Sequence, residues 1–321
     1  MHPITASTRL SAPLHHPAPG AGPAGGTVDE AGIDLMVLGR AQDGGLPQLG
    51  CRKPCCLDAA ARGRRELPSS LGLVDHLRGT LHLVEATPAI QEQVALLQEA
   101  LPERVDSSPL VDGILITHAH MGHYLGLAQL GREVAATDRM PVHVSQRVDH
   151  FLRSNQPWAQ LIDLAQIETR VFQPGRAFEL SPDLCVEPIP VVHRDEFFDT
   201  VAFKFRGPSK VVLFLPDIDR WDDPGLGDRF LEHLLDDVDV AYLDGTFYDG
   251  RELPGRDLGV IPHPLMTDTM QRLGGLARER PGVLRFIHLN HTNPALEEPL
   301  VQDELQRQGF ALAEQGECTR L

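Results

Sequence analysis

From Ile33 onward the apolar residues follow two rhythms. Short apolar runs bounded by glycine, proline or polar clusters predict strands. They fall at Ile33–Leu38, Thr80–Ala86, Gly113–Ile116, Val142–Ser145, Leu184–Val192, Val201–Phe205, Val211–Leu215, Val238–Leu243, Arg285–Leu289 and Phe310–Ala313. Apolar residues spaced three and four apart predict helices over Ile90–Leu101, Tyr124–Gly131, Phe151–Leu164, Arg229–Leu235, Met266–Arg278 and Leu296–Gln308. The order mixes strand meanders with helical crossovers. It suits an α/β protein of two sheets packed face to face with helices outside, rather than a simple βαβ alternation. No repeat of fixed period and no long linker interrupts residues 32–321, so one domain is expected there. Residues 1–31 are rich in Pro, Gly, Ala and Ser and carry no apolar period. Too little apolar surface is present to offset the ordering entropy, which predicts a flexible N-terminal tail.

Composition narrows the function classes. A chain of 321 residues with 42% apolar content can bury a large core. A net charge of −16 repels phosphate backbones, so a nucleic-acid partner is not expected. No apolar run approaches the roughly 20 residues of a membrane span, and the N-terminus lacks a signal-peptide core. The expectation is a soluble cytoplasmic protein acting on a small-molecule substrate. Of five cysteines, Cys51, Cys55 and Cys56 lie within six residues, a spacing that favours metal ligation over disulfides. Cys185 and Cys318 stand alone and are expected to be packing residues.

The densest chemistry follows the strand Gly113–Ile116, where His118, His120 and His123 occupy six residues. Sheets of this kind place ligands at strand ends. A His-x-His pair puts two rings on one side of an extended segment, and neutral imidazole is a common ligand of catalytic divalent metals. The competing reading, surface or capping histidines, fits such a cluster at a strand end less well. A metal site needs further segments. His193, Asp217 and His288 each close another predicted strand; singly each reads as a satisfied core histidine or a turn aspartate, and together they complete a ligand set.

The order strand, His-x-His-x-x-His, then His193, Asp217 and His288 resembles the metallo-β-lactamase superfamily from Ile33 to the C-terminus. Within it, Gly44-Gly45-Leu46-Pro47-Gln48, Cys51 to Cys56, Val84-Glu85-Ala86-Thr87-Pro88, Leu243-Asp244-Gly245-Thr246-Phe247 and Ile287 to Pro294 are similar to one branch. That branch holds the B protein of pyrroloquinoline quinone biosynthesis and the cyclic phosphodiesterase of phosphonate breakdown. The resemblance implies an αββα sandwich. It also implies that His118, His120 and His193 hold one metal, and that Asp217 bridges to a second held by His123 and His288. The family pattern is His-x-His-x-Asp-His, whereas this chain has Gly122 at the aspartate position. Loss of that anionic ligand predicts a weakened second site, with Asp195, Asp199 or Asp219 compensating or orienting ligand rings. Restoring the family residue by Gly122→Asp is expected to raise second-site occupancy. The resemblance further implies a structural zinc on Cys51, Cys55, Cys56 and His291. Lys53 stands at the family's middle cysteine position, so Cys55 substitutes for it; the alternative is buried or redox-sensitive thiols.

Hydrolysis is the leading expectation. A divalent metal (zinc, alternatively manganese or iron; one or two ions) makes hydroxide available from water near neutral pH. Asp217 would orient the nucleophile. His263, placed like a leaving-group acid in phosphodiesterase relatives, is the candidate general acid, with a structural cap as the equal alternative. No Gly-x-Ser-x-Gly elbow supports serine catalysis. An Fe(II)-dependent oxygenase of cofactor biosynthesis and a non-catalytic metal carrier are the other readings. Segments Arg147–Trp158 and Tyr248–Pro262 are expected to shape specificity, with Trp158 and Trp221 as pocket or packing residues.

Overall fold

The computed structural model describes residues 32–104, 109–194, 196–223 and 230–321. The tail 1–31, Asp195 and Arg229 lie outside the described residues. Strands β1 (Ile33–Gly39), β2 (Ser70–Asp75), β3 (Thr80–Val84), β4 (Gly113–Leu115), β5 (Met140–Ser145) and β6 (Ile167–Phe172) are neighbours in chain order. The first three pair antiparallel and the rest parallel. The second sheet repeats the scheme with β7 (Phe178–Ser181), β8 (Leu184–Val191), β9 (Thr200–Arg206), β10 (Val211–Leu215), β11 (Val240–Asp244), β12 (Leu284–Ile287) and β13 (Ala311–Leu312). Here β7 to β10 are antiparallel and β10 to β13 parallel. A last strand, β14 (Cys318–Arg320), crosses back to pair with β1.

The two-residue rhythm becomes the layering. In β10, Val212 and Phe214 pack with Leu35, Leu73 and Leu115 of the first sheet, whereas Leu213 and Leu215 pack outward against the helices. A strand apolar on both faces must be covered on both sides. One outer layer is α2 (Ile90–Glu99), α4 (Gln146–Ser154) and α5 (Trp158–Asp163), contributing Ile90, Leu97, Val148, Leu152 and Leu161. The other includes α6 (Phe230–Leu235), α7 (Met266–Glu279) and α8 (Pro299–Arg307), contributing Leu234, Met270, Leu273 and Leu305. The result is the αββα sandwich.

All ten predicted strands are present, and four are additional: β2, β6, β7 and β14. The expected helix Phe151–Leu164 is two helices. Ser145 caps α4 through its Oγ, which accepts from the Val148 amide at 3.2 Å. Pro157, which has no amide hydrogen and restricts the residue before it, separates α4 from α5. The stretch predicted as Tyr124–Gly131 is a short helix α3 (Met121–Tyr124) running into a 3-10 segment at Leu125–Leu130. Likewise Pro294–Leu296 is a 3-10 turn, and the last long helix starts at Pro299, which needs no amide partner there. The cysteine segment forms α1 (Pro54–Ala61), absent from the periodicity reading. Cys318 is exposed on β14 rather than packed. Among the described residues no helix is long and apolar enough to cross a membrane.

Candidate metal centre

Five of the six donors named from the sequence for this basin follow a strand end on the same rim of the sandwich. His118 and His120 follow β4, His193 follows β8, Asp217 follows β10 and His288 follows β12. His123 lies in α3. His118, His123, His193, Asp217 and His288 are each 2% exposed or less, so the fold itself makes this basin. At two of the strand ends the backbone turns sharply: Glu85 has φ 72° and His288 φ 62°, left-handed values that cost of order 1–3 kcal/mol each and here aim side chains inward.

The donor atoms fall into two subsites on either side of Asp217. In the first, His118 Nε2 lies 2.9 Å from His120 Nδ1, His193 Nε2 3.2 Å from His120 Nδ1, and His193 Nε2 3.5 Å from Asp217 Oδ1. In the second, His123 Nε2 lies 3.2 Å from Asp217 Oδ2. Bonds of about 2.0–2.2 Å at tetrahedral angles set ligand atoms roughly 3.3–3.6 Å apart; the 3.5 Å contact falls in that range, and the 2.9 and 3.2 Å contacts lie just below it, so the donors are gathered closely enough to share an ion. The buried atoms Asp217 Oδ2 and His288 Nε2 have no hydrogen-bond partner, as expected of ligand atoms.

A residue that sequence reasoning passed over joins the second subsite. Asp43, in the turn after β1, places Oδ1 3.5 Å from His123 Nε2 and 3.7 Å from His288 Nε2. Of the aspartates proposed as compensators, Asp219 accepts from His193 Nδ1 at 3.1 Å and Asp199 accepts from Ser145 Oγ; neither joins His123 and His288. A carboxylate in a glycine-rich turn reads as a turn former, and the usable signal was the mismatch at Gly122.

A second set of bonds sets the ring tautomers. Thr117 donates its hydroxyl to Glu85 Oε1 at 2.5 Å and accepts from His118 Nδ1 at 2.8 Å, leaving His118 Nε2 as the lone pair. Thr246 likewise donates to Asp244 Oδ1 at 2.7 Å and accepts from His288 Nδ1 at 3.0 Å. Burial, then the charge of neighbouring histidines, holds His118 well below the usual imidazole range, and His120 is lowered to about 4 for the same reasons. These two are therefore neutral, the ligating form. His123 moves the other way: burial opposes its charge, but Asp217, Glu85 and Asp43 raise it well above its ordinary value. Those carboxylates call for positive charge in their midst, which a divalent cation supplies. His263 enters from the loop before α7 with Nδ1 2.8 Å from Asp244 Oδ2; against burial, Asp244 raises it to about 9.

A cavity of about 650 Å³ opens over the basin, lined by His120, His193, Asp217 and His263, with Phe151 and Phe198 on one wall. Phe151 and Pro262 of the two expected specificity segments reach it. Trp221 lines an adjoining cavity that shares His263, whereas Trp158 packs against Tyr124 in the helix layer.

The sulfur cluster assembles separately. Donor atoms of Cys51, Cys55, Cys56 and His291 all lie within 4.8 Å of one another. The amides of Lys53 and Gln48 point at Cys51 Sγ and Cys56 Sγ at 3.4 and 3.3 Å, and buried His291 Nδ1 has no hydrogen-bond partner. Three thiols and an imidazole so placed fit a tetrahedral structural zinc.

With this geometry in place, comparisons with known proteins agree. The pattern of the Beta-lactamase superfamily domain matches residues 80–289. Coenzyme PQQ synthesis protein B of Methylobacterium sp. (strain 4-46) is 27% identical over 306 residues, covering 88% of this chain and 98% of the relative. The protein of the same name from Ruegeria pomeroyi is 26% identical over 305 residues, covering 88% and 98%. Among solved structures, zinc-bound PqqB from Methylobacterium extorquens has a TM-score of 0.73 at 20% identity, covering 90% of this chain and all 100% of that one. A diphosphatase of the PhnP family has a TM-score of 0.64 at 22% identity, covering 90% and 97%.

Proposed function

The chain belongs to the beta-lactamase superfamily, with the metallo-β-lactamase fold and kinship to PqqB, and from that premise we propose that it is a metal-dependent hydrolase of a small ester- or phosphodiester-type molecule. The observation that carries the proposal is the convergence of His118, His120 and His193 beside Asp217 at the floor of an open cavity. A divalent ion held by these donors would supply Lewis acidity and make hydroxide available from water near neutral pH.

The chain's own residues do the rest. His118 and His193 present Nε2 lone pairs because Thr117 and Asp219 engage their Nδ1 atoms. Asp217, buried between the subsites, accepts a hydrogen bond from the attacking water and orients it. His263, held at Nδ1 by Asp244, keeps Nε2 for a proton delivered to the leaving group. Phe151 and Phe198 exclude water from one side of the cavity and offer an apolar face to the substrate.

A second reading is an oxygen-dependent oxidation with iron in the first subsite, acting on an aromatic precursor. The aromatic wall and the relatives named for coenzyme PQQ synthesis favour it. Turnover of bis(p-nitrophenyl) phosphate, a lactone and a tyrosine-type substrate, measured with zinc, manganese or iron under air and under argon, separates the two. Oxygen-independent hydrolysis with zinc or manganese is expected. Turnover only with iron and oxygen replaces the hydrolase by the oxygenase, and a protein that retains no metal in the basin sinks both.

A further inference from the structure

We infer that Asp43 is the anionic ligand of the second metal subsite, supplied from the turn after β1 because the His-x-His-x-x-His segment has glycine at 122. A side chain at 122 has no room: a Cβ there would lie 1.8 Å from Asp43 Oδ1, 2.5 Å from its Cγ and 2.8 Å from its Cα. Asp43 thus fills the volume into which an aspartate at 122 would project, and the two arrangements are mutually exclusive. Gly122 is not a lost ligand but the space the replacement needs.

The position of Asp43 is built. The Gln42 amide donates to Leu289 O at 2.8 Å, and the Gly45 amide closes the turn onto Gln42 O at 2.8 Å with Gly45 at φ 68°. Asn290 Nδ2 donates to Gln42 Oε1 at 2.6 Å. The turn is therefore tied to the segment that carries His288, and Asp43 moves with its co-ligand. The Asp43 side chain is about half exposed (49%), yet its Oδ1 is buried, faces His123 Nε2 and His288 Nε2, and has no hydrogen-bond partner. With Asp217 Oδ2 on the other side of His123, the subsite offers two imidazoles and two carboxylates, a set suited to zinc, manganese or iron.

The inference rests on the reading that this basin holds metal. Metal per chain is counted by inductively coupled plasma mass spectrometry. In parallel the apo-protein is titrated with cobalt(II), whose thiolate charge-transfer band reports the cysteine cluster separately. Expected are two basin equivalents in the wild type and one in both Asp43→Ala and Asp43→Asn, with an unchanged thiolate band and circular dichroism. Asp43→Gly also loses one. Adding Gly122→Asp in that background returns it, because a glycine ahead of Gly44 and Gly45 frees the turn to move back until the 2.8 Å approach of its Cα opens to ordinary contact. Gly122→Asp alone gains no metal. Two equivalents retained by Asp43→Ala and Asp43→Asn, or no return in the double variant, overturns the inference and leaves the hydrolase reading standing. One equivalent in the wild type does the same; no basin metal at all removes both.

Discussion

The histidine basin and the cysteine cluster are built on opposite plans. Basin donors come from five separate segments between Asp43 and His288, and those beyond the turn at Asp43 and the cavity-facing His120 are almost wholly buried at strand ends. The cysteine cluster takes three of its four donors from Cys51–Cys56, and of these only Cys56 is fully buried. The basin is shaped by the sandwich and by partners such as Glu85, Thr117, Asp219 and Asp244. The cluster is a local loop and an eight-residue helix, α1, whose donors a bound ion would lock together. Metal in the basin would therefore govern chemistry, and metal at the cysteines would govern the stability of the loop. The two meet where His288 and His291 leave β12, with Asn290 bonded to Gln42 between them.

Substitutions can break or sharpen that contrast. The largest loss of turnover is expected from His118→Ala: more than about 100-fold, because even partners of metal ligands are worth about 10–100-fold. The circular dichroism spectrum should stay unchanged, and a variant with wild-type kcat would end the assignment of the first subsite. Glu85→Gln removes the carboxylate that faces His123 Nδ1 at 3.4 Å and accepts from Thr117, and should weaken basin metal affinity about 10–100-fold in a chelator competition. If affinity is untouched, the basin is less dependent on its supporting shell than described. Asp244→Asn should lower kcat about 10-fold at full metal content by loosening His263; a change in metal content instead would make Asp244 a support of His288 alone. Cys56→Ser should have the smallest effect on metal-loaded turnover, within a few-fold. It should nonetheless lose one zinc equivalent and melt lower by calorimetry, since ligand at 1,000 times its Kd stabilises by about 4.1 kcal/mol. Unchanged zinc content and melting temperature would return the cysteines to the status of free thiols.

Much of the frame was legible from periodicity, because each predicted strand has an apolar face or two that must be covered. The missed strands show where that signal fails. β2 carries Gly72 and ends in Asp75, and its extended state follows from lying between β1 and β3. β6 and β7 are edge strands whose outward positions are polar or half exposed, and β14 has three residues. The break between α4 and α5 was marked by Pro157, but the apolar spacing on either side masked it. His118, His120, His193, Asp217 and His288 could be named because ligand residue types stood at strand ends. Asp43 could not, because nothing local distinguishes a ligand aspartate from a turn aspartate.

The sequence by itself determined the strand rhythm, the residue types able to hold metal and the mismatch at Gly122, since these reside in local order along the chain. Only the tertiary structure decided that Asp43 faces His123 and His288, that Asp219 serves His193, and that Cys55 and Cys56 share a centre with His291. Those relations depend on strand pairing and on the two sheets packing face to face with these strand ends on one rim, which bring donors together over separations of more than 200 residues, as between Asp43 and His288. Distances of 3 to 4 Å between such segments are set by packing, not by spacing in the chain.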